Sequence, residues 1–254
     1  MVIRIVLACL LFVGVALSLP LESRIVNGTT ADPGQYPFVV SLRSSSGSHS
    51  CGASIINSQW ILTAAHCVQY KKPSSISVQY GVSTISSKGP NVATVKKIIW
   101  HENYIPTSRY DDDVALLQLE GRLSFNGKTI AAIKLPEQGF EVPGGDIGTL
   151  VGWGLEKTGG VVQKDLQQVD LKIYSDEECN ERHNGVTSVH QICGGVDEGG
   201  KGQCSGDSGG PLVYKGVQVG IVSWSRKPCT IAPYPGVYTK VSHYIDWIMD
   251  KINE

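Results

Sequence analysis

Neither sign of charge is in excess in this 254-residue chain: 22 Lys and Arg stand against 23 Asp and Glu, a formal net charge of −1. Such a balance offers no electrostatic footprint for nucleic acid or for an anionic membrane surface, so neither is expected as a partner. Low-complexity tracts and blocks of like charge are also missing, which excludes an extended disordered region. Long segments of helical periodicity are scarce, and beyond the first residues no apolar run approaches membrane-spanning length. What remains is a chain with 41% hydrophobic residues, enough for one compact core or two packed halves.

The one long apolar run, Val2 to Leu19, has Arg4 near its start and the small residues Ala16 and Ser18 at its end. A basic start, an apolar middle and a small-residue exit describe a secretory signal peptide, assigned to residues 1–18, in preference to a membrane anchor. The mature protein is expected to be secreted and extracellular. Of seven cysteines, Cys9 falls in that segment, leaving Cys51, Cys67, Cys179, Cys193, Cys204 and Cys229. An even set in an oxidising compartment reads as disulfides, although spacing alone does not choose among the connectivities. Zinc on Cys51, His66 and Cys67 is a weak alternative, because the usual ligand spacings are lacking.

The apolar pattern is short and alternating. Phe38–Leu42, Trp60–Ala64, Ser77–Tyr80, Val95–Trp100, Val114–Leu119, Gly148–Trp153 and Val169–Ile173 have strand length and composition. Leu212–Tyr214 and Val217–Trp224 flank Lys215-Gly216, a signal for a tight hairpin. The expectation is an all-β fold, sandwich or barrel. One helix is predicted at the end, where Val241, Ile245, Ile248 and Ile252 recur at helical spacing behind Ser242 as N-cap.

The densest chemistry lies between Gly199 and Pro211, where six of thirteen residues are glycine and Ser208 stands between Asp207 and Gly209. A serine hydroxyl attacks only when a base takes its proton, and the base works best when a third group fixes its tautomer. Thr63-Ala64-Ala65-His66-Cys67 supplies a histidine at the end of an apolar strand. Asp113-Val114-Ala115-Leu116-Leu117 supplies a carboxylate at the mouth of another. The neighbouring Asp111 and Asp112 read as solvated loop carboxylates.

In chain order, Ile25-Val26-Asn27-Gly28, the His66 and Asp113 segments, Gly152-Trp153-Gly154, Gly206-Asp207-Ser208-Gly209-Gly210-Pro211 and Ser223-Trp224 closely resemble the trypsin/chymotrypsin family of serine endopeptidases. The resemblance covers 25–254. It implies two packed six-stranded antiparallel β-barrels, a C-terminal α-helix and an active site in the cleft between the barrels. It implies Ser208 as nucleophile, His66 as base and Asp113 as the residue that orients it, with the amides of Gly206 and Ser208 as the oxyanion hole. It further implies activation by cleavage between Arg24 and Ile25, which releases a propeptide of residues 19–24 and frees an ammonium to pair with Asp207. Disulfides Cys51–Cys67, Cys179–Cys193 and Cys204–Cys229 follow from the same resemblance, and three bridges resemble invertebrate digestive and venom members.

The primary specificity pocket departs from the trypsin pattern. By resemblance its floor is Gly202 beside Gln203, and its walls are Ser223, Trp224 and Ser225 with the segment around Gly236. A cationic substrate side chain would find no acid there. Chymotrypsin-like preference for large apolar residues is the leading expectation, with elastase-like preference for small ones the alternative, since Ser225 and Gln203 are larger than usual. Lys201 is read as solvated. Polypeptide substrates, an activating trypsin-like protease and protein inhibitors are the expected partners, for a monomer without cofactor. Residues 82–91 contain no Asp or Glu, so no calcium or other metal is predicted. The sequon Asn27-Gly28-Thr29 lies too close to the new N-terminus for modification to be expected. A non-catalytic homologue acting as a binding protein is the rival from another class. A serine esterase is disfavoured by the His–Asp–Ser order.

Overall fold

The computed structural model describes residues 25–106 and 110–254. The signal peptide with Cys9, the propeptide and Arg24 lie outside the described residues. Two closed, six-stranded antiparallel barrels make up the fold. The first is built from β2 (Val39–Ser44), β3 (His49–Ile55), β4 (Trp60–Thr63), β5 (Ile76–Gln79), β6 (Val92–Trp100) and β7 (Ala115–Leu119), closing in the order β2-β3-β4-β7-β6-β5. The second uses β8 (Ile147–Gly152), β9 (Gln167–Tyr174), β10 (Gln191–Gly195), β11 (Pro211–Tyr214), β12 (Val217–Trp224) and β13 (Gly236–Lys240). Its order is β8-β9-β10-β13-β12-β11, returning to β8, with the two-residue β1 (Thr29–Thr30) on the edge of β9.

The alternation seen in the sequence is the cause of this arrangement. Along β9, Val169, Leu171 and Ile173 face the second core, while Asp170 between them is exposed. At the β11–β12 hairpin, Lys215 and Gly216 both take positive φ, 47° and 78°, as a type I′ turn requires. Among the described residues there are three α-helices: α1 (Ala65–Val68), α2 (Asp176–Arg182) and α3 (Ile245–Asn253). The last follows a strand of the second barrel yet packs Ile248, fully buried, into the core of the first. It straps the two halves together. No helix among the described residues is long and apolar enough to cross a membrane.

The cap predicted for the terminal helix is corrected. Val241–His243 forms a separate 3-10 turn, Ser242 is buried within it, and α3 starts after Tyr244 with no side-chain cap. Tyr244 is the fixed point, because its buried ring and its hydroxyl bond to Asp112 hold the chain where the helix begins.

Candidate active site

His66 sits on α1, immediately after the buried pair Ala64 and Ala65, and the Cys51–Cys67 disulfide (S–S 2.03 Å) ties this helix to β3. Both sulfurs are used in that bridge, so Cys51, His66 and Cys67, though clustered, have no thiolate to offer a metal. Asp113, at the entrance to β7, is fully buried and accepts three hydrogen bonds. They come from the His66 backbone N–H (2.9 Å to Oδ1), His66 Nδ1 (2.7 Å to Oδ2) and the Ser223 hydroxyl (2.6 Å to Oδ2). Its own carbonyl accepts from the Thr239 hydroxyl at 2.8 Å. An imidazole that donates from Nδ1 presents its lone pair at Nε2, the form a base needs. Ser223 and Thr239 belong to the second barrel, so the carboxylate is held across the cleft. Sequence reasoning placed Ser223 only in the pocket wall; its hydroxyl instead serves Asp113.

Ser208 is carried by the glycine-rich turn after Cys204. Its carbonyl accepts from Gly52 N–H at 2.8 Å, the Gly209 N–H donates to Val222, and the Asp207 and Gly210 N–H groups are also bonded. Among the described residues, the N–H groups of Gly206 and Ser208 alone between 206 and 210 have no acceptor, two free donors in an otherwise satisfied turn. Gly206 adopts φ 95° and Gly209 φ 77°, values that a side chain would strain. Ser208 Oγ and His66 Nε2 are not hydrogen-bonded in this structure; such contacts commonly tighten only with substrate bound.

A second histidine, missed in the sequence, shapes the same turn. His49 contacts the Gly206 carbonyl through Nε2 at 2.8 Å and the Ser41 hydroxyl through Nδ1 at 2.7 Å. Burial pushes its pKa down, so a neutral ring donates from Nε2 to the carbonyl and accepts from Ser41. No local motif announces it, since the contact joins residues 157 apart in sequence.

Asp207 is fully buried behind Ser208, its oxygens accepting from Gly154 N–H (2.8 Å) and Cys204 N–H (3.0 Å). Burial pushes its pKa up to about 7, against the two amides and the more distant Lys227, which lower it. A Cβ on Gly154 would stand 2.1 Å from Asp207 Oδ2, which explains the glycine there. Ile25 is fully buried in the second core, Val26 bridges to Gly202, and the Asn27 amide donates to Gly200 at 2.7 Å.

Of the residues read from the sequence as the specificity pocket, Gln203, Trp224 and Gly236 lie together. Gln203 is only 3% exposed, and its Nε2 donates to the carbonyls of Trp224 (2.7 Å) and Val237 (3.5 Å). Its Oε1 is buried without a partner, and a Cβ on Gly236 would meet Gln203 Cδ at 2.8 Å. The side chain thus lies across the face of Gly236. Ser225 is half-buried, Gly202 is buried and Lys201 is exposed. The Cys204–Cys229 and Cys179–Cys193 bridges brace this region. Asp111 and Asp112 are not free loop carboxylates: Ser188 donates to Asp111 at 2.6 Å and Tyr244 to Asp112 at 2.9 Å.

Residues 25–248 match the Trypsin family model. Over 235 residues the chain is 40% identical to Trypsin Blo t 3 of Blomia tropicalis, covering 91% of this chain and 86% of that protein. It is 40% identical over 238 residues to Trypsin-1 of Astacus astacus, covering 88% and 98% respectively. To Transmembrane protease serine 11G of Mus musculus it is 38% identical over 246 residues, which is 94% of this chain and 58% of that protein.

Proposed function

The chain belongs to the trypsin family of serine endopeptidases, and from that premise we propose that Ser208, His66 and Asp113 hydrolyse peptide bonds through an acyl-enzyme. The observation that carries this reading is the buried Asp113 accepting from His66 Nδ1, beside two unpaired amides at Ser208. Ser208 Oγ adds to the scissile carbonyl as its proton passes to His66 Nε2, and the Gly206 and Ser208 amides bind the oxyanion. The C–N bond breaks as Nε2 returns the proton to the leaving amine; water, activated in the same way, then releases the acid. A serine-directed covalent inhibitor should label Ser208 in the processed protein. An unlabelled serine in folded protein would favour a binding protein on this fold.

For specificity, the position of Gln203 supports a shortened uncharged pocket that prefers small apolar side chains over large aromatic ones. The absence of a side chain at Gly202 and Gly236 supports the chymotrypsin-like alternative if Gln203 swings away. Mapping cleavage sites in a denatured protein mixture distinguishes the two. The parent is expected to cut mainly after Ala, Val and similar residues, and Gln203→Ala to shift the cuts toward Leu, Phe and Tyr. A parent that already cuts after Phe and Tyr refutes the shortened pocket.

We also propose secretion followed by activation at Arg24–Ile25 by a trypsin-like protease, with the new Ile25 ammonium pairing with Asp207. In the uncut chain Asp207 keeps its proton in the folded state up to about 7, against an ordinary value of 3.8. The folded form therefore binds the extra proton between those values, and stability falls as pH rises through that window. Thermal unfolding of uncleavable Arg24→Gln should show a steeper loss between pH 4 and 7 than its Asp207→Asn double variant. Parallel curves would remove Asp207 as the cause.

A further inference from the structure

His183 is fully buried, takes no part in the catalytic steps and closes the C-terminal end of α2, where its backbone N–H donates to the Cys179 carbonyl at 3.2 Å. The Cys179–Cys193 bridge fastens that helix to β10, so the ring is carried on a fixed support. Its Nε2 stands 3.0 Å from the Pro235 carbonyl. A carbonyl only accepts, so the proton is on Nε2 and Nδ1 carries the lone pair. Among the described residues Nδ1 is buried without a partner, and so is the indole Nε1 of Trp224. The two rings are 4.9 Å apart between centroids and meet edge to face at 68°. An acceptor without a donor and a donor without an acceptor thus lie in adjoining rings. No spacing announces the arrangement, since His183 and Pro235 are 52 positions apart.

We propose that His183 is a positioning residue for substrate binding: it sets the wall formed by Trp224 and the Pro235–Gly236 segment, and with it the affinity for the residue before the scissile bond. This rests on the reading of Ser208 as nucleophile and of these residues as its specificity pocket. Gln203 ties part of the same wall together, since its Nε2 donates to the Trp224 and Val237 carbonyls and its side chain covers Gly236. His183 adds the link from the Trp224 ring to Pro235, the residue before Gly236. Leucine or phenylalanine would fill the same space without an unmatched lone pair, so packing alone does not account for an imidazole. The neutral ring is the form that holds the wall. Burial keeps the His183 pKa below the ordinary 6.5; the Pro235 bond opposes this and Arg226 reinforces it. Facing the ring are Trp224, Tyr234 at 5.8 Å between centroids, and Arg226, whose guanidinium lies 4.7 Å from the Tyr234 ring centre. Arg182, the preceding residue, is paired with Glu178 (3.1 Å) and Asp197 (2.6 Å) and donates to the Pro233 carbonyl. A proton on Nδ1 would add a second unmatched donor beside the indole and a cation near Arg226, so acid loosens the wall.

The first test needs no turnover. The indole N–H signals of the isotope-labelled, full-length Ser208→Ala protein are followed by NMR from about pH 8 to about pH 4.5, with Trp224 assigned from Trp224→Phe. The Trp224 signal is expected to shift in one step below pH 6.5. That step should persist in His66→Asn and vanish in His183→Gln, whose amide offers a donor and an acceptor but does not titrate. A flat signal, or a step that survives in His183→Gln, would overturn the proposal. The second test is steady-state kinetics of the processed enzyme on one peptide substrate. His183→Phe should raise KM about tenfold with kcat within about twofold, and His183→Gln should recover most of the loss. Equal melting temperatures and equal labelling of Ser208 by a small serine-directed inhibitor show that both variants fold. A parent-like KM in His183→Phe, or kcat and labelling lost in step with KM, would reduce His183 to packing. A parent that fails to label Ser208 would strike the catalytic reading instead, and the indole titration would still decide the role of His183.

Discussion

Asp113→Asn is expected to lower kcat by about 10⁴-fold with little change in KM. The reason lies in which atom each donor meets. Asp113 Oδ1 takes the His66 backbone N–H, while Oδ2 takes both His66 Nδ1 and the Ser223 hydroxyl. An asparagine that keeps its oxygen toward the backbone N–H turns its NH2 toward Nδ1. The ring must then accept there and carry its proton on Nε2, where it cannot act as a base. The opposite orientation sets the NH2 against the backbone N–H. That second arrangement would keep Nδ1–H bonded to an oxygen but is disfavoured by this donor–donor clash, so the loss should appear in kcat while substrate contacts persist. A variant with a rate close to that of the parent would mean that Asp113 does not fix the tautomer.

Gly209→Ala should cost activity and stability together. At φ 77°, its Cβ would lie 2.2 Å from Thr63 Oγ1 and 2.6 Å from the Gly52 carbonyl, both on the first barrel. A rotamer change could relieve the threonine but not the carbonyl. The turn must therefore retreat, taking Ser208 with it, since Gly52 N–H holds the Ser208 carbonyl. Displacement of a nucleophile by about 1 Å reduces turnover roughly 10²-fold. Backbone strain adds about 1–3 kcal/mol of destabilisation. Steady-state kinetics with a urea unfolding curve measures both. Parent-like values in each would show that the two barrels can separate locally at no cost.

The strands with branched apolar residues were legible in the sequence, β7 and β9 above all, because alternation is a local property. β3 was not. His49-Ser-Cys-Gly-Ala-Ser-Ile55 is built of small residues because it passes close to the nucleophile turn, where a Cβ on Gly52 would sit 2.9 Å from Gly210 Cα. Buried smallness carries no periodic signal. β10 and β13 were missed for a related reason: both contain glycine, and β10 is buried throughout. Helix α2 also went unread: Ser175, which accepts from the Glu178 N–H, and the acids of the first turn mark its start, but it lacks an apolar stripe. Within the site, motif positions were readable as residue types. The reach of Gln203 across Gly236 and the His49 contact are products of long-range packing, which no spacing encodes.

Each of the three disulfides closes within a single barrel: Cys51–Cys67 in the first, Cys179–Cys193 and Cys204–Cys229 in the second. Among the described residues, the chain passes from the strands of the first barrel to those of the second through the largely exposed connection at 120–146, and no disulfide spans the two. One cut in that connection converts a unimolecular enzyme into a two-component assembly. Its activity would then obey mass action, surviving in concentrated solution and fading on dilution as the halves drift apart. After such a cut the working life of the enzyme depends on its own concentration as well as on its melting temperature.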